Sequence, residues 1–338
     1  MASSETPIVL YYYELSPYSK QVVWYLALKG LKFQQCIQPR IMPRPDLSRL
    51  GVKYRRIPVL TIGRDIYLDT RHIISKLSEL EPGKNARLSV ATTPEQKALQ
   101  RLLQAYMIDS GLSRCIVQLI LHKTRGMMDP EFIKDRTEFM SGASFFPPEA
   151  LEAMRPDTIR RVKDGFEFLE QTLLSDGREW LLGTAGPTIG DIEMAWPLLW
   201  LERVPGARPE ECISEAKFPK VFAWMDRFKS TAQKSVDDLG ELATLTGEEA
   251  AKLILSSDYH EADGYVDETD VLVQQQNLKK GQLVRMWPTD TGSNHKDLGQ
   301  LVSVTDKEVV IEAKAEDGGL VRIHAQRHGF AVAPCEES

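Results

Sequence analysis

The length, composition and charge of the chain limit the kinds of protein it can be. Its 338 residues exceed one average domain, and its 42% apolar and 27% charged residues are typical of globular proteins. No run approaches the roughly 18 apolar residues that span a membrane, and the first residues lack the basic and apolar regions of a secretory signal. We therefore expect two or three domains in a cytoplasmic protein with no membrane partner.

Charge and cysteine content narrow the choice of ligands. The chain carries a net charge of −6, yet residues 1–80 hold 12 Lys+Arg against 6 Asp+Glu, and residues 265–338 hold 8 against 12. A basic first part favours a small anionic ligand, and the acidic end argues against a nucleic-acid partner. The four scattered cysteines show no CxxC or CxxH spacing, so we expect reduced thiols and no metal site.

The first local pattern is a strand, a turn and a helix. Residues 8–13 are β-branched and aromatic, which predicts a buried strand. Pro17 suits the first turn of a helix, where its missing N–H costs nothing, and Val22 and Leu26 continue at helical spacing. Ser16 therefore lies at a helix N-terminus, where free N–H groups and the helix dipole favour negative charge. A hydroxyl at this point is suited to holding a thiolate.

The turn Ser16-Pro17-Tyr18-Ser19 resembles the Cys-Pro-Tyr-Cys site of glutaredoxins with both sulfurs replaced by oxygen, which excludes dithiol chemistry there. It also resembles the active-site turn of serine-type glutathione transferases of the zeta, theta and delta classes. That resemblance implies that the Ser16 hydroxyl stabilises the glutathione thiolate. An ordinary Ser-Pro helix start has the same local pattern.

A second motif, residues 56–70, reads as a hairpin followed by a helix. Two short apolar runs flank Gly63-Arg64-Asp65, and Pro58 opens the first of them. The motif resembles thioredoxin-like folds, in which this proline is cis, so we expect a cis Ile57–Pro58 bond. The resemblance further implies glutathione-binding roles for Arg56 (or Arg55) at the glycyl carboxylate, for the Ile57 backbone at the cysteinyl residue, and for Asp69 and Thr70 at the γ-glutamyl end.

A helical pattern begins at about Pro94. Apolar residues at helical spacing predict one long helix from Leu99 to Leu119 and another over residues 159–173. The stretch 126–156 between these helices is expected to be irregular. This stretch is either a flap over a pocket or a core insertion. The resemblance implies that the first of these helices contributes Tyr106, Ser110 and Arg114 to a hydrophobic substrate site.

Two signals follow the long helices. Thr188 with Asp191 forms a capping box before an apolar helix and resembles the box of the buried sixth helix of glutathione transferases, where it supports folding. After an acidic linker, the hydrophobic period becomes two, with five short apolar runs between residues 283 and 332. These predict a small β-barrel or roll, with an SH3-like architecture as one possibility.

We therefore predict an α/β thioredoxin-like domain at 7–80, an all-helical glutathione transferase domain at 94–256 and a small all-β domain at 270–334. The resemblance, which extends to fungal-type glutathione transferase-like proteins, implies a cytoplasmic homodimer that uses glutathione and adds its thiolate to a small electrophile. Two alternatives rest on the same residues. One is a glutathione-dependent isomerase of the zeta type, and the other is a non-catalytic scaffold or regulatory protein.

Overall fold

The computed structural model describes residues 6–141 and 145–335, which build one nine-stranded sheet with helices packed around it. The strands are β1 Ile8–Tyr12, β2 Gln34–Ile37, β3 Val59–Ile62, β4 Asp65–Leu68, β5 Leu283–Pro288, β6 Asp297–Val304, β7 Glu308–Lys314, β8 Leu320–Gln326 and β9 Phe330–Pro334. The helices are α1 Pro17–Lys29, α2 Pro45–Ser48, α3 Thr70–Glu79, α4 Pro94–Ile108, α5 Leu112–Thr124, α6 Pro130–Phe139, α7 Pro148–Phe168, α8 Ile189–Arg203, α9 Pro219–Leu239, α10 Gly247–Leu255 and α11 Val271–Gln276. The strand order is β2-β1-β3-β4-β8-β7-β6-β5-β9.

The N-terminal unit confirms the predicted thioredoxin-like fold. Strand β1 pairs in parallel with β2 and antiparallel with β3, and β3 continues into β4 through a tight turn. The Ile57–Pro58 bond is cis, as predicted. Between β2 and β3 the chain forms only the four-residue helix α2, because the prolines at 39, 43 and 45 leave no room for a longer one.

The apolar run of β1 is explained by burial on both faces. Leu10 faces a core shared with α1, α3 and the helices of residues 94–239, whereas Val9 and Tyr11 face a second core. Successive side chains of a strand point to opposite faces, so a strand covered on both sides must be apolar throughout. The second core joins this face to α10 and to the C-terminal strands.

The helical part confirms the predicted fold class but corrects two details. The predicted long helix is two helices, α4 and α5, separated at Gly111, whose φ of 82° is costly for any other residue. The stretch expected to be irregular contains α6 and the start of α7. Asp129 caps α6 by accepting the N–H of Glu131 at 2.7 Å, and Pro130 occupies its first turn. This cap is a sequence signal that the periodicity argument missed.

The C-terminal part of the chain is rich in strands, as predicted, and adds a connection that the sequence does not predict. Strands β5 to β8 form an antiparallel meander, and β9 returns to pair with β5. Strand β8 then pairs in parallel with β4, placing Asp65 opposite Arg322 and Tyr67 opposite His324. The open edge of the thioredoxin-like sheet is thereby covered, and both parts share one sheet.

Ionisable side chains hold this β4–β8 junction together. His324 Nε2 lies 2.8 Å from Asp65 Oδ1, and its Nδ1 lies 3.3 Å from Glu308 Oε2. His72 Nε2 and Lys76 Nζ approach the two oxygens of the same Glu308 at 3.1 and 3.0 Å. We call these five residues the junction cluster. Since they are buried or nearly so, each charge depends on its partners for stabilisation.

None of the helices in the described ranges combines the length and the hydropathy needed to cross a membrane.

Candidate functional site

A cavity of about 1950 Å³ lies where the N-terminal unit, the helices and the C-terminal strands meet. All six residues of the predicted glutathione site line it: Ser16, Arg56, Ile57, Pro58, Asp69 and Thr70. Pockets for small molecules typically measure about 300–1000 Å³. The cavity therefore has room for glutathione together with a bulky second ligand.

Ser16 is the N-cap of α1. Its extended backbone (φ −73°, ψ 117°) turns the side chain over the helix end, where Oγ accepts the N–H of Ser19 at 3.2 Å. The hydroxyl still carries a proton to donate, and Ser16 is only 3% exposed. Ser19, the other hydroxyl of the turn, is buried but is not among the cavity-lining residues. The turn thus presents one of its two hydroxyls to the cavity.

The cis-proline loop and the start of α3 form the adjoining wall. Pairing between β3 and β1 begins at Val59, so the peptide groups of Ile57 lie outside this ladder. Asp69 accepts the N–H of Arg71 at 3.0 Å and has a φ of 69°. A positive φ is unfavourable for aspartate, and such strained residues cluster at functional sites. Asp69 and Thr70 are half-buried and border the cavity.

The two arginines before the cis-proline are held by groups of the same chain. Arg56 pairs with the carboxylate of Asp290, and its Nε donates to the carbonyl of Thr291 at 3.0 Å. Arg55 is 3% exposed and its Nη2 lies 2.7 Å from Asp135 Oδ1. Both arginines therefore already contact acceptor groups of the protein, where the sequence prediction expects the carboxylate of a ligand.

The apolar side of the cavity differs from the sequence prediction. Of the three residues assigned to it, Arg114 lines the cavity, whereas Tyr106 packs on Phe168 with ring centroids 5.2 Å apart and Ser110 donates to the Tyr106 carbonyl. The wall is built instead from aromatic and methionine side chains of the stretch 126–146 and of α8 and α9. They are Met127, Met128, Phe132, Phe139, Met140, Phe145, Phe146, Trp196, Trp200, Phe222 and Met225.

Sequence reasoning missed an acid in the wall. Glu193 of α8 lines the cavity, is 1% exposed and accepts a hydrogen bond from Gln104 at 2.9 Å. Burial raises its pKa to about 7, and the nearby Asp69 adds to the increase, while Gln104 and Arg71 oppose it. The available signal was a glutamate inside the apolar run 192–201 of this helix.

The C-terminal strands complete the cavity. Two of their connections and the adjoining strand ends contribute wall residues, namely Thr289, Asp290, Thr291, Gln326, His328, Gly329 and Phe330. His328 Nε2 also approaches Asp109 at 3.5 Å, the acid that pairs with Arg71 of α3. The third part of the chain is therefore a structural component of the site.

Outside the cavity, one group has the side chains of a metal site. His72, Glu308 and His324 bring three ligand atoms within 4.8 Å of one another. The ammonium of Lys76 lies 3.0 Å from Glu308, and His324 Nδ1 faces the same carboxylate. These contacts already compensate the charge of Glu308, so the arrangement is a closed ion-pair network.

The comparisons with known proteins agree with this architecture. Residues 10–85 match the family described as "Glutathione S-transferase, N-terminal domain", and residues 116–237 match "Domain of unknown function (DUF7962)". None of the curated proteins matches the chain.

Several solved structures are similar in fold. A GST-like protein from Pseudomonas syringae is 24% identical, with a TM-score of 0.68 over 98% of this chain and 100% of that chain. A beta-etherase from Sphingobium is 20% identical, with a TM-score of 0.50 over 68% and 99% of the two chains. A glutathione S-transferase from Methylobacillus flagellatus with GSH bound is 20% identical, with a TM-score of 0.46 over 70% and 100%.

The similarity to the Pseudomonas protein includes the helical part and the C-terminal strands, because it extends over nearly the whole of both chains. Residues 10–85 thus match a glutathione S-transferase N-terminal domain, and the chain as a whole is similar in fold to the GST-like protein from Pseudomonas.

Proposed function

We propose that the protein is a glutathione transferase of the serine type, which binds glutathione and adds its thiolate to a bulky electrophile. The observation that carries the proposal is the position of the Ser16 hydroxyl. It lies at the N-terminus of α1, in the wall of the same cavity as the cis-proline loop and Asp69–Thr70. A thiolate there gains a hydrogen bond and a favourable helix dipole.

The remaining groups suit the rest of the tripeptide. The free peptide groups of Ile57 are available to the cysteinyl residue, and Asp69 with the N-terminal turn of α3 suits the amine and carboxylate of the γ-glutamyl end. Arg56 suits the glycyl carboxylate, which would take the place of Asp290. The aromatic and methionine wall favours an apolar electrophile.

Replacement of Ser16 by alanine tests the proposal. A hydrogen bond to a charged group contributes about 1.5–3 kcal/mol, so Ser16→Ala should raise the pKa of the bound thiol by about one to two units. Conjugation at neutral pH should slow accordingly, whereas glutathione affinity at low pH, where the thiol is neutral, should hardly change. Thiolate absorbance in the ultraviolet, followed against pH, measures the shift.

Two variants serve as controls for this experiment. Ser19→Ala removes a buried hydroxyl without a partner in the described structure and away from the cavity, so the thiol pKa should stay as in the wild type. Asp69→Ala should weaken glutathione binding with little effect on the thiol pKa. An unchanged titration curve for Ser16→Ala would refute the role of this hydroxyl, provided that a thermal melt shows the variant to be folded.

A non-catalytic scaffold is the second candidate, and the internal partners of Arg55 and Arg56 favour it. Each arginine already pairs with a carboxylate of the chain, as expected for a site that no longer binds glutathione. Calorimetric titration with glutathione separates the two functions. Saturable one-to-one binding supports the transferase, and no heat of binding at millimolar glutathione supports the scaffold.

We also propose a cytoplasmic homodimer, on the strength of the family resemblance and of four free cysteines. Light scattering at micromolar concentration should give twice the chain mass of 38.2 kDa. A monomer mass under these conditions would contradict the dimer, and would indicate that the C-terminal strands block the pairing surface.

A further inference from the structure

A second, smaller cavity lies beside the cavity of about 1950 Å³ to which we assign glutathione, and its lining is positively charged. We call the larger one the glutathione cavity. Its volume is about 390 Å³, and it is formed between α2 with the segment 52–54 on one side and β5 with residues 294–296 on the other. Four cationic residues line it: Arg44, Lys53, Arg285 and Lys296. No aspartate or glutamate is among its lining residues.

None of the four pocket cations forms an ion pair with an acid among the residues that the structure describes. Within those residues, the ion pairs of this region involve Arg55, Arg56, Arg136 and His295 but none of the four pocket cations. Arg44 is 4% exposed, and its guanidinium donates to the carbonyls of Pro39 and Arg55, which are neutral acceptors. Such partners satisfy hydrogen bonds but leave the charge in place.

Groups of both signs surround Arg44. Burial lowers the pKa of Arg44 to about 10, and the neighbouring Arg136 and Arg55 lower it further, whereas Tyr13 and Asp135 oppose the decrease. The nearest acid along the chain, Asp297, is 1% exposed and accepts the backbone N–H groups of Lys53 and Tyr54. It therefore holds the wall together and is not among the lining residues of the pocket, although its charge interacts with that of Lys53.

We propose that this pocket binds a compact polyanion of the phosphate type, with pyrophosphate as the simplest example. The volume falls within the range of small-molecule sites, about 300–1000 Å³. Arginine and lysine together suit phosphate oxygens, since arginine offers a fork of donors and lysine a mobile point charge. The aromatic residue of the wall, Tyr54, is 3% exposed and offers no face on which a base can stack.

The pocket adjoins the glutathione cavity without being part of it. Arg44 and Tyr54 line both cavities, whereas Lys53, Arg285 and Lys296 line only the smaller one. The last three residues therefore allow the anion site to be altered while the groups assigned to glutathione stay intact. The proposal does not depend on the transferase function.

Titration calorimetry of the full-length protein with inorganic pyrophosphate tests the site. We expect one-to-one binding that weakens as the salt concentration rises, and at least tenfold weaker binding of orthophosphate. The double variant Lys53→Gln/Arg285→Gln should bind pyrophosphate at least tenfold more weakly than the wild type. The exposed pair Lys234→Gln/Lys307→Gln removes the same charge elsewhere and should retain wild-type affinity.

Several outcomes would overturn the proposal. These are absence of pyrophosphate binding to the wild type, equal weakening in both double variants, and equal affinity for orthophosphate. Loss of pyrophosphate binding in the presence of saturating glutathione would place the anion in the large cavity and would also refute it. Glutathione binding is titrated separately, so failure of the anion site is distinguishable from failure of the proposed transferase function.

Discussion

Replacement of Asp191 by alanine should lower the free energy of unfolding by about 4 kcal/mol, more than most single substitutions. This carboxylate is fully buried and accepts four hydrogen bonds. Its Oδ2 accepts the N–H and hydroxyl of Thr188, each at 2.8 Å, and its Oδ1 accepts the N–H of Leu181 and the indole N–H of Trp224, each at 2.9 Å. Alanine leaves four buried donors without a partner.

The chain contains a matched control for this experiment. Glu249 accepts the N–H and hydroxyl of Thr246, each at 2.9 Å, in a second capping box that is exposed to solvent. Water can replace those bonds, so Glu249→Ala should be far less destabilising than Asp191→Ala. Urea unfolding at pH 7 compares the two variants. Equal losses would show that the bonds to Leu181 and Trp224 contribute nothing.

Replacement of His324 by glutamine should destabilise the protein by about 3 kcal/mol near pH 6, because removal of one partner of a buried ion pair leaves the others uncompensated. Burial alone lowers the pKa of His324, but the hydrogen bonds and charges of Asp65 and Glu308 outweigh it and raise the pKa. For Asp65 and Glu308, burial is likewise outweighed by His324, and their pKa values are lowered. The ring is thus an imidazolium between two carboxylates.

The pH dependence follows from the direction of these shifts. The stabilisation by His324 is complete below its unfolded pKa of about 6.5 and is lost as the pH rises through its folded pKa. The stabilisation by the carboxylates is present above their unfolded pKa values of about 4 and is lost as the pH falls. The difference in stability between wild type and His324→Gln should therefore be largest between about pH 5 and 6.5 and should shrink on either side.

An exposed histidine provides the comparison. His122 Nε2 lies 2.6 Å from Glu152 at the surface, and His122→Gln should leave the stability almost unchanged across the same pH range. Denaturant unfolding at half-unit pH steps measures both variants. A difference for His324→Gln that does not vary with pH would contradict the charged state assigned to the junction cluster.

The sequence alone was sufficient for features that depend on near neighbours in the chain. The strand before Ser16, the turn at Gly63 and the five C-terminal strands all appear where the local pattern predicts them, and the Ile57–Pro58 bond is cis, as the resemblance to thioredoxin-like folds implies. In each case the side chains that decide the conformation lie within a few residues of one another. The two incorrect helix predictions also concern local signals. The longer hydrophobic pattern obscured Gly111, which separates α4 from α5, and Asp129, which caps α6.

The candidate site was predictable only in part. The six residues of the glutathione side belong to two motifs whose order and spacing can be read along the chain, and the structure brings them to one cavity. The opposite wall has no motif. Aromatic and methionine side chains of the stretch 126–146 have the same composition whether they line a cavity or fill a core, so the sequence could not distinguish the two.

The sequence by itself determined the order of elements, the thioredoxin-like unit and the position of Ser16 at a helix N-terminus. Only the tertiary structure showed that β8 pairs with β4, that Asp290 pairs with Arg56 and that His324 pairs with Asp65. The two ion pairs join residues that are 234 and 259 positions apart in the sequence. Ion pairs carry no periodicity, and any acid can in principle meet any base. Which acid meets which base depends on the strand that covers the open edge of the sheet. The position of that strand in turn depends on the packing of the whole chain.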